Sequence, residues 1–276
     1  MLKKSLQAIA YSNLWISIGA TCFTLLFYLS KGWDVSYPLL AFIFFSTLLT
    51  YTFQRYTKLR ANERTSGPRM EWMKKYPKTV LTILFISSIG TSALVFTLNP
   101  VSILTLILLG AISLLYAYKV KVGSEKKSNL RDIPGLKIFL IGLVWAGTCV
   151  VLPYLESEFK DSSIITSYFG FALFILGITI PFDIRDLEVD EKNKHTIPQI
   201  FGVLGSKIIA VLLIAASTYL IHLGSEVSVF ALLPGVILSL LLIFASNKAR
   251  HELYYSIGVD GLLILVPLST YLLNSL

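Results

Sequence analysis

Nine apolar runs constrain this chain more than any other feature. Each is close to the ~20 residues that a helix needs to cross the hydrocarbon core of a bilayer. They fall at roughly 8–29, 37–54, 79–98, 100–118, 135–155, 163–182, 198–222, 227–246 and 254–275. Only 14% of the 276 residues are charged, against about 25% in a soluble domain, and the mean hydropathy is +0.72. The expected fold class is therefore all-α. It is a polytopic membrane helical bundle of about nine transmembrane helices around a central lipid-accessible cavity. The whole chain, 1–276, is expected to form one such domain.

Charge gives the direction of the first span. With Lys3 and Lys4 in the cytoplasm, every Lys and Arg of the 24 except Lys31 and Lys160 falls on the cytoplasmic side. Such a bias follows the positive-inside rule and supports the number of spans as well as their direction. The expected location is the cell's inner or plasma membrane, with the N-terminus cytoplasmic and the C-terminus outside. The net charge of +8 is thus explained by topology and membrane lipids, with no nucleic acid as partner. No cleavable signal is expected, because the first apolar run is not followed by a clear cleavage site.

Several chemistries are excluded. Cys22 and Cys149 both lie in apolar runs, with neither metal-ligand spacing nor the numbers for a disulfide framework. His195, His222 and His251 are scattered. There is no Gly-rich nucleotide loop and no nucleic-acid motif.

The densest charged run is Phe182-Asp183-Ile184-Arg185-Asp186-Leu187-Glu188-Val189-Asp190, with Lys192, Lys194, His195, Thr196 and Pro198 after it. If the preceding apolar helix continues through it, Asp183, Asp186 and Asp190 stand at i, i+3 and i+7 on one face. Three stacked like charges repel. Arg185, Lys192, Lys194 or a divalent cation would offset them. Magnesium uses one or two protein carboxylates together with substrate phosphate oxygens, so an Asp row beside basic residues suits a Mg–diphosphate. A solvated loop between two helices is the plainer alternative.

Other candidates cluster at the same end. Span 2 closes on Thr50-Tyr51-Thr52-Phe53-Gln54-Arg55-Tyr56-Thr57-Lys58, where Arg55 and Lys58 make a plausible phosphate clamp or an interfacial belt. The following stretch, 59–77, reads as a polar loop that orders with ligand. Span 4 closes on Tyr116, Tyr118, Lys119 and Lys121, which either anchor at the interface or reach a diphosphate. Lys137, one turn inside span 5, either snorkels or contacts an anion. Asn13 is expected to bond another helix or to face a substrate. Gly202 and Gly205 are expected to permit close helix contact. Asp260 lies inside span 9, where an ionisable residue is a functional candidate by default; a structural partner such as Asn13 is the alternative. The acidic outer loop 156–161 carries no evident chemistry.

The run Asp183-Ile-Arg185-Asp186-Leu-Glu-Val-Asp190…Lys194-His195-Thr196-Ile-Pro198…Gly202 resembles the second aspartate motif of the UbiA superfamily of intramembrane prenyltransferases, in its menaquinone-type form. The segment from Tyr116 to Lys121 resembles that family's Tyr/Lys signature. The resemblance implies transfer of an isoprenyl group from an isoprenyl diphosphate to an aromatic or lipid acceptor, with Mg2+ as cofactor. It implies Asp183, Asp186 and Asp190 as catalytic metal ligands. It implies Thr50, Gln54, Arg55, Lys58, Tyr118, Lys119, Lys121, Arg185 and Lys194 as substrate-binding residues. The chain departs from the family at the first aspartate motif, whose positions are Thr50, Tyr51, Gln54 and Lys58. No acidic residue stands there, and one position is cationic.

Two readings therefore compete. In one, Arg55 and Lys58 hold phosphate oxygens directly in place of one metal. In the other, ionisation is lost and the protein binds a polyprenyl lipid or serves as a membrane subunit. A third reading, a transporter with Asp260 and the Asp row as an ion path, is weakened by the lack of an inverted repeat. The acceptor stays open among a quinone precursor, a sugar-type compound, a lipid alcohol and a porphyrin-like ring.

Overall fold

The computed structural model describes residues 2–61, 67–118, 130, 133, 135–188 and 195–274. These residues form helices α1 (Leu2–Tyr11), α2 (Leu14–Lys31), α3 (Tyr37–Arg60), α4 (Pro68–Lys75), α5 (Pro77–Val95) and α6 (Pro100–Ala117). Then follow α7 (Leu136–Ala146), α8 (Leu152–Glu156), α9 (Ile164–Asp186), α10 (Ile197–Leu223), α11 (Val229–Ala245) and α12 (Asp260–Asn274). A π-turn at Gly147–Val151 joins α7 to α8, and another at Tyr254–Val259 leads into α12. Eight helical segments are long and apolar enough to cross a membrane, and α11 is a shorter apolar helix. The protein is a multi-pass membrane bundle.

The helices begin where local chemistry satisfies their first N–H groups. Ser36 Oγ accepts from Leu39 N ahead of α3, and Asn99 Oδ1 accepts from Ser102 N at 2.8 Å ahead of α6, each with proline in the first turn. Around the bundle, α5 packs on α3, α3 on α2, α2 on α12, α12 on α11, α11 on α10, α10 on α9, and α9 on α7. The most buried span is α9, while α5 and α6 are the least buried. Phe85, Ile89, Leu104 and Ile107 point outward from these two, as lipid-facing residues do. Close approach of α9 and α10 depends on glycine at one level: a Cβ at Gly177 would stand 2.8 Å from Ile214 Cδ1. Ser217 Oγ adds a 2.7 Å bond to Gly170 O across the same seam.

Five expectations are corrected. The first span does not run from 8. The chain breaks at Asn13, whose left-handed conformation (φ 69°) an asparagine tolerates, and α2 starts at Leu14. Span 2 runs on to Arg60 instead of ending at 54. The stretch 59–77 holds a helix, α4, packed on α1, α3 and α5 with Met73 buried beneath it. The helix bearing the acidic run ends at Asp186 and does not continue through it, so Asp183 and Asp186 share that helix; Asp190 lies outside the described residues. Gly202 is not a contact residue. Its φ of 69° with ψ of 177° kinks α10, and a Cβ there would meet nothing within 4 Å.

The end opposite the acidic run is tied by Lys31. Its buried ammonium bonds Asp161 Oδ2 at 2.7 Å, Gly224 O at 2.6 Å, and Ser163 Oγ. The outer loop read as empty of chemistry thus anchors α2 to α10. Hydrogen bonds from Lys31 and Ser163 hold the Asp161 carboxyl well below the usual carboxylate range. A carboxyl depressed in the folded state stabilises above its unfolded pKa and loses that contribution as pH falls through its folded pKa. Asp161→Asn is therefore expected to lower the melting temperature in detergent at pH 7. The gap should narrow as pH drops below about 4. A gap independent of pH would show that the ion pair is not its source.

Candidate functional site

The end of the bundle bearing the acidic run gathers side chains from seven of the helices. The break at Asn13 turns a buried amide toward α3, where Asn13 Nδ2 donates to Thr52 Oγ1 at 3.0 Å. The other end of that amide, Oδ1, accepts from Arg55 Nη1. The Arg55 guanidinium also lies 5.6 Å over the Tyr51 ring. Trp145 Nε1 donates to Tyr51 OH at 3.3 Å, just before the π-turn at 147–151. Asn13 therefore bonds a helix, as one reading expected, and it does so to aim Arg55.

Helix α4 contributes Arg69. Its Nε stands 3.3 Å from Glu252 Oε1, and its guanidinium lies 5.6 Å over the Tyr11 ring. Burial pulls this guanidinium below its usual range, opposed by Glu252 and Asp260 and abetted by the like charge of Arg185. Helix α9 contributes Arg185, which grips the neighbouring Asp186 through Nε at 2.7 Å and Nη2 at 2.9 Å. The same guanidinium lies 5.3 Å over both Phe182 and Tyr255. Two rings and a carboxylate thus fix its plane.

Asp260 completes the group. It starts α12 directly after the π-turn at 254–259, a feature that often marks a functional position. Trp15 Nε1 donates to Ile257 O at 3.0 Å and steadies that turn. Arg69, Arg55 and Arg185 are the charged groups acting on the Asp260 carboxylate. Arg55 and Arg69 also act on each other. Tyr51, Arg55 and Asp260 lie deep in the bundle, yet each keeps accessible surface. They therefore share this end of the bundle, with part of each side chain still accessible. The partner proposed for Asp260, Asn13, is taken instead by Thr52 and Arg55.

Three guanidinium groups from α3, α4 and α9 thus act on one carboxylate, Asp260. Like charges confined together repel unless anions sit among them. Glu252, Asp260 and Asp186 supply such anions from the protein itself. A guanidinium fork matches phosphate oxygens in geometry and number of donors. The arrangement can bind a polyanionic head group while the apolar bundle takes its tail.

The remaining sequence candidates separate. Asp183 is buried and lies 2.5 Å from Lys137 Nζ, so Lys137 meets a protein carboxylate. Gln54 faces away from Arg55, since consecutive helical residues point about 100° apart. It donates to Ser113 O at 3.3 Å, tying α3 to α6. Thr57 and Tyr118 hydroxyls meet at 2.6 Å in the same seam. Thr50 and Lys58 lie on α3 too. Lys119, Lys121, Asp190 and Lys194 lie outside the described residues. Sequence reasoning missed Arg69 and Glu252. Arg69 was one of many basic residues in a presumed loop, and nothing local distinguished it.

Magnesium was expected at Asp183, Asp186 and Asp190. Among the described residues no three His, Cys, Asp or Glu come together for a metal. Asp183 is committed to Lys137. Asp186 keeps partial exposure at the end of α9 and, among the described residues, is held by its neighbour Arg185. One or two carboxylates suffice for magnesium when phosphate oxygens complete the shell. Among the described residues, Asp186 is the carboxylate of the three that is left accessible for such a site.

No family model matches the chain, and no curated protein matches it by sequence. Solved structures do match. A UbiA homologue from Archaeoglobus fulgidus bound to GPP and Mg2+ aligns with TM-score 0.62 and 13% identity, over 97% of this chain and 100% of that one. The apo UbiA homologue from Aeropyrum pernix K1 aligns with TM-score 0.59 and 14% identity, over 98% and 99%. A digeranylgeranylglyceryl phosphate synthase aligns with TM-score 0.56 and 15% identity, over 99% and 98%. The fold of this chain is that of the UbiA homologues.

Proposed function

We propose that the chain is an integral-membrane prenyltransferase that moves an isoprenyl group from an isoprenyl diphosphate to a lipophilic acceptor, aromatic or lipid. The observation that carries this reading is the convergence of Arg55, Arg69 and Arg185 on Asp260, with Asp186 held by Arg185. The fold shared with a UbiA homologue bound to GPP and Mg2+ supports it. The whole chain acts as one unit. The N-terminus is cytoplasmic, the C-terminus outside, and the head-group end faces the inner leaflet.

In this reading the three arginines take the diphosphate oxygens. Arg55 stands within the stretch where the first aspartate motif has no carboxylate, and Arg69 joins it from α4. Asp186 and Asp190 would hold Mg2+, which would supply further positive charge to the leaving diphosphate. Asp183 positions the end of α9 through Lys137. Lys119, Lys121 and Lys194 add positive charge from the adjoining segments, while Thr50, Gln54, Lys58 and Tyr118 shape the wall between α3 and α6. Fixed charges aimed at the developing anion lower the barrier without reorganising. The apolar bundle keeps water from the allylic cation.

The test is pyrophosphate release from geranyl diphosphate by the purified protein. Asp186→Ala and Asp190→Ala are each expected to abolish the Mg2+-dependent part. Full turnover by both variants would sink the proposal. A second reading, a protein that binds a polyprenyl lipid or serves as a membrane subunit without catalysis, is favoured by the missing carboxylates at 50–58. It predicts a co-purifying lipid and no pyrophosphate from any donor and acceptor pair.

A further inference from the structure

The end of the bundle opposite the acidic run holds a cavity of about 330 Å3, between the end of α2, the start of α9 and the turn that joins α10 to α11. Its lining includes Lys31, Trp33, Asp161, Leu223, Ser225 and Glu226. The volume is within the ~300–1,000 Å3 of small-molecule sites. We infer that this cavity binds a phosphoethanolamine group, with the ammonium on Glu226 and the phosphate oxygens on donors of Trp33 and Ser225. The cavity lies at the far end from the charges of the transferase reading, so the two stand or fall separately.

The Lys31–Asp161 pair in the lining is already neutral. Lys31 gives its three ammonium hydrogens to Asp161 Oδ2, Ser163 Oγ and Gly224 O. Asp161 Oδ1 accepts from Ser163 N at 2.8 Å. Glu226 is different. Its N–H donates to Ser30 O at 3.0 Å, and a Cβ on Gly32 would stand 3.4 Å from its Oε2, so the carboxylate is held over the end of α2. Its side chain makes no hydrogen bond or ion pair among the described residues. The lining therefore carries one uncompensated negative charge, which favours a cation.

Uncommitted donors stand in the same lining. The Trp33 indole N–H has no acceptor among the described residues and is not sealed from solvent. Ser225 Oγ accepts from Val227 N at 3.3 Å, and its hydroxyl hydrogen has no acceptor among the described residues. One carboxylate with two donors complements an ammonium two carbons away from a phosphate. A choline group has no N–H for Glu226, and a glycerol phosphate brings only negative charge. Leu223, 61% exposed, and Phe159, 59% exposed and stacked 6.2 Å from Trp33, give the cavity an apolar border. An ethanolamine phospholipid can lay its chains on that border; free phosphoethanolamine cannot.

The experiment uses full-length protein in dodecyl maltoside micelles, titrated with dioleoyl phosphatidylethanolamine, dioleoyl phosphatidylcholine or O-phosphoethanolamine. Binding is read by native mass spectrometry and by the rise in melting temperature, since a ligand of the folded state stabilises it. Wild type is expected to bind the ethanolamine lipid about 10-fold or more tightly than the choline lipid, the scale of one hydrogen bond to a charged group. Glu226→Gln should lose that preference and, free of lipid, melt with wild type, because its side chain has no partner to lose. Trp33→Phe should weaken binding of the ethanolamine lipid by about threefold or more. Binding of that lipid without O-phosphoethanolamine assigns the site to the membrane. Equal binding of the two shows that the head group alone suffices, and binding of O-phosphoethanolamine alone assigns the site to the free compound. Binding of both lipids with equal affinity would overturn the inference, as would an unchanged preference in Glu226→Gln or no binding of any of the three. The lipid comparison is made on wild type, so it decides even where a substitution fails to fold.

Discussion

Arg55→Gln is expected to weaken geranyl diphosphate binding and to lower turnover by about 10²–10³-fold, the scale of losing one donor aimed at a developing anion. The reason is position. Arg55 is fixed by Asn13 Oδ1 at one edge and by the Tyr51 ring on its face, and the charges of Arg69 and Asp260 act on it. Glutamine keeps much of the length and some hydrogen bonding but removes the charge. Arg55→Lys should restore little, because an ammonium lacks the planar fork and cannot keep both the Asn13 bond and two phosphate bonds. Asn13→Ala should mimic part of the effect by releasing the guanidinium. Isothermal titration with geranyl diphosphate, alongside pyrophosphate release, checks all three. Wild-type affinity in Arg55→Gln would show that phosphate binds elsewhere. A thermal melt of each variant separates this from misfolding.

Asp183→Ala is expected to destabilise the protein by about 3–5 kcal/mol, the usual cost of leaving one member of a buried ion pair behind. The Asp183 side chain is 3% exposed and Lys137 Nζ lies 2.5 Å away, joining α9 to the start of α7. Removing the carboxylate leaves an ammonium in a space with little water. Replacing both partners, Lys137→Met with Asp183→Leu, should recover most of the loss, because no buried charge then remains. Melting in detergent and the urea midpoint measure it. The outcome also decides between two roles. A variant as stable as wild type that loses only Mg2+-dependent turnover would return Asp183 to the metal. A destabilised variant rescued by the double apolar change would leave it as a positioning residue.

Much of the fold was legible because the bilayer is a strict solvent. A helix that crosses it must be about 20 residues long and apolar almost throughout, so length and composition mark each span. The nine apolar runs correspond to the eight long spans and to α11. Span ends were less legible. Nothing apolar distinguishes residue 54 from Arg60, and the break at Asn13 depends on one residue's tolerance of a left-handed backbone.

The candidate site was legible in part as a set of charges. Asp183, Asp186, Arg185 and Arg55 stood out as charges where charge is expensive, and Asp260 did so for the same reason. Their pairing did not. Lys137 with Asp183 spans 46 positions, and Asn13 with Arg55 spans 42. Arg69 became notable only when α4 folded back over the end of the bundle. The amino-acid sequence by itself determined how many times this chain crosses the membrane and which residues carry charge, because desolvation is a property of each segment. Only the tertiary structure decided which charges neutralise one another and which act on Asp260. Coulomb energy depends on separation in space, and helices distant along the chain set that separation.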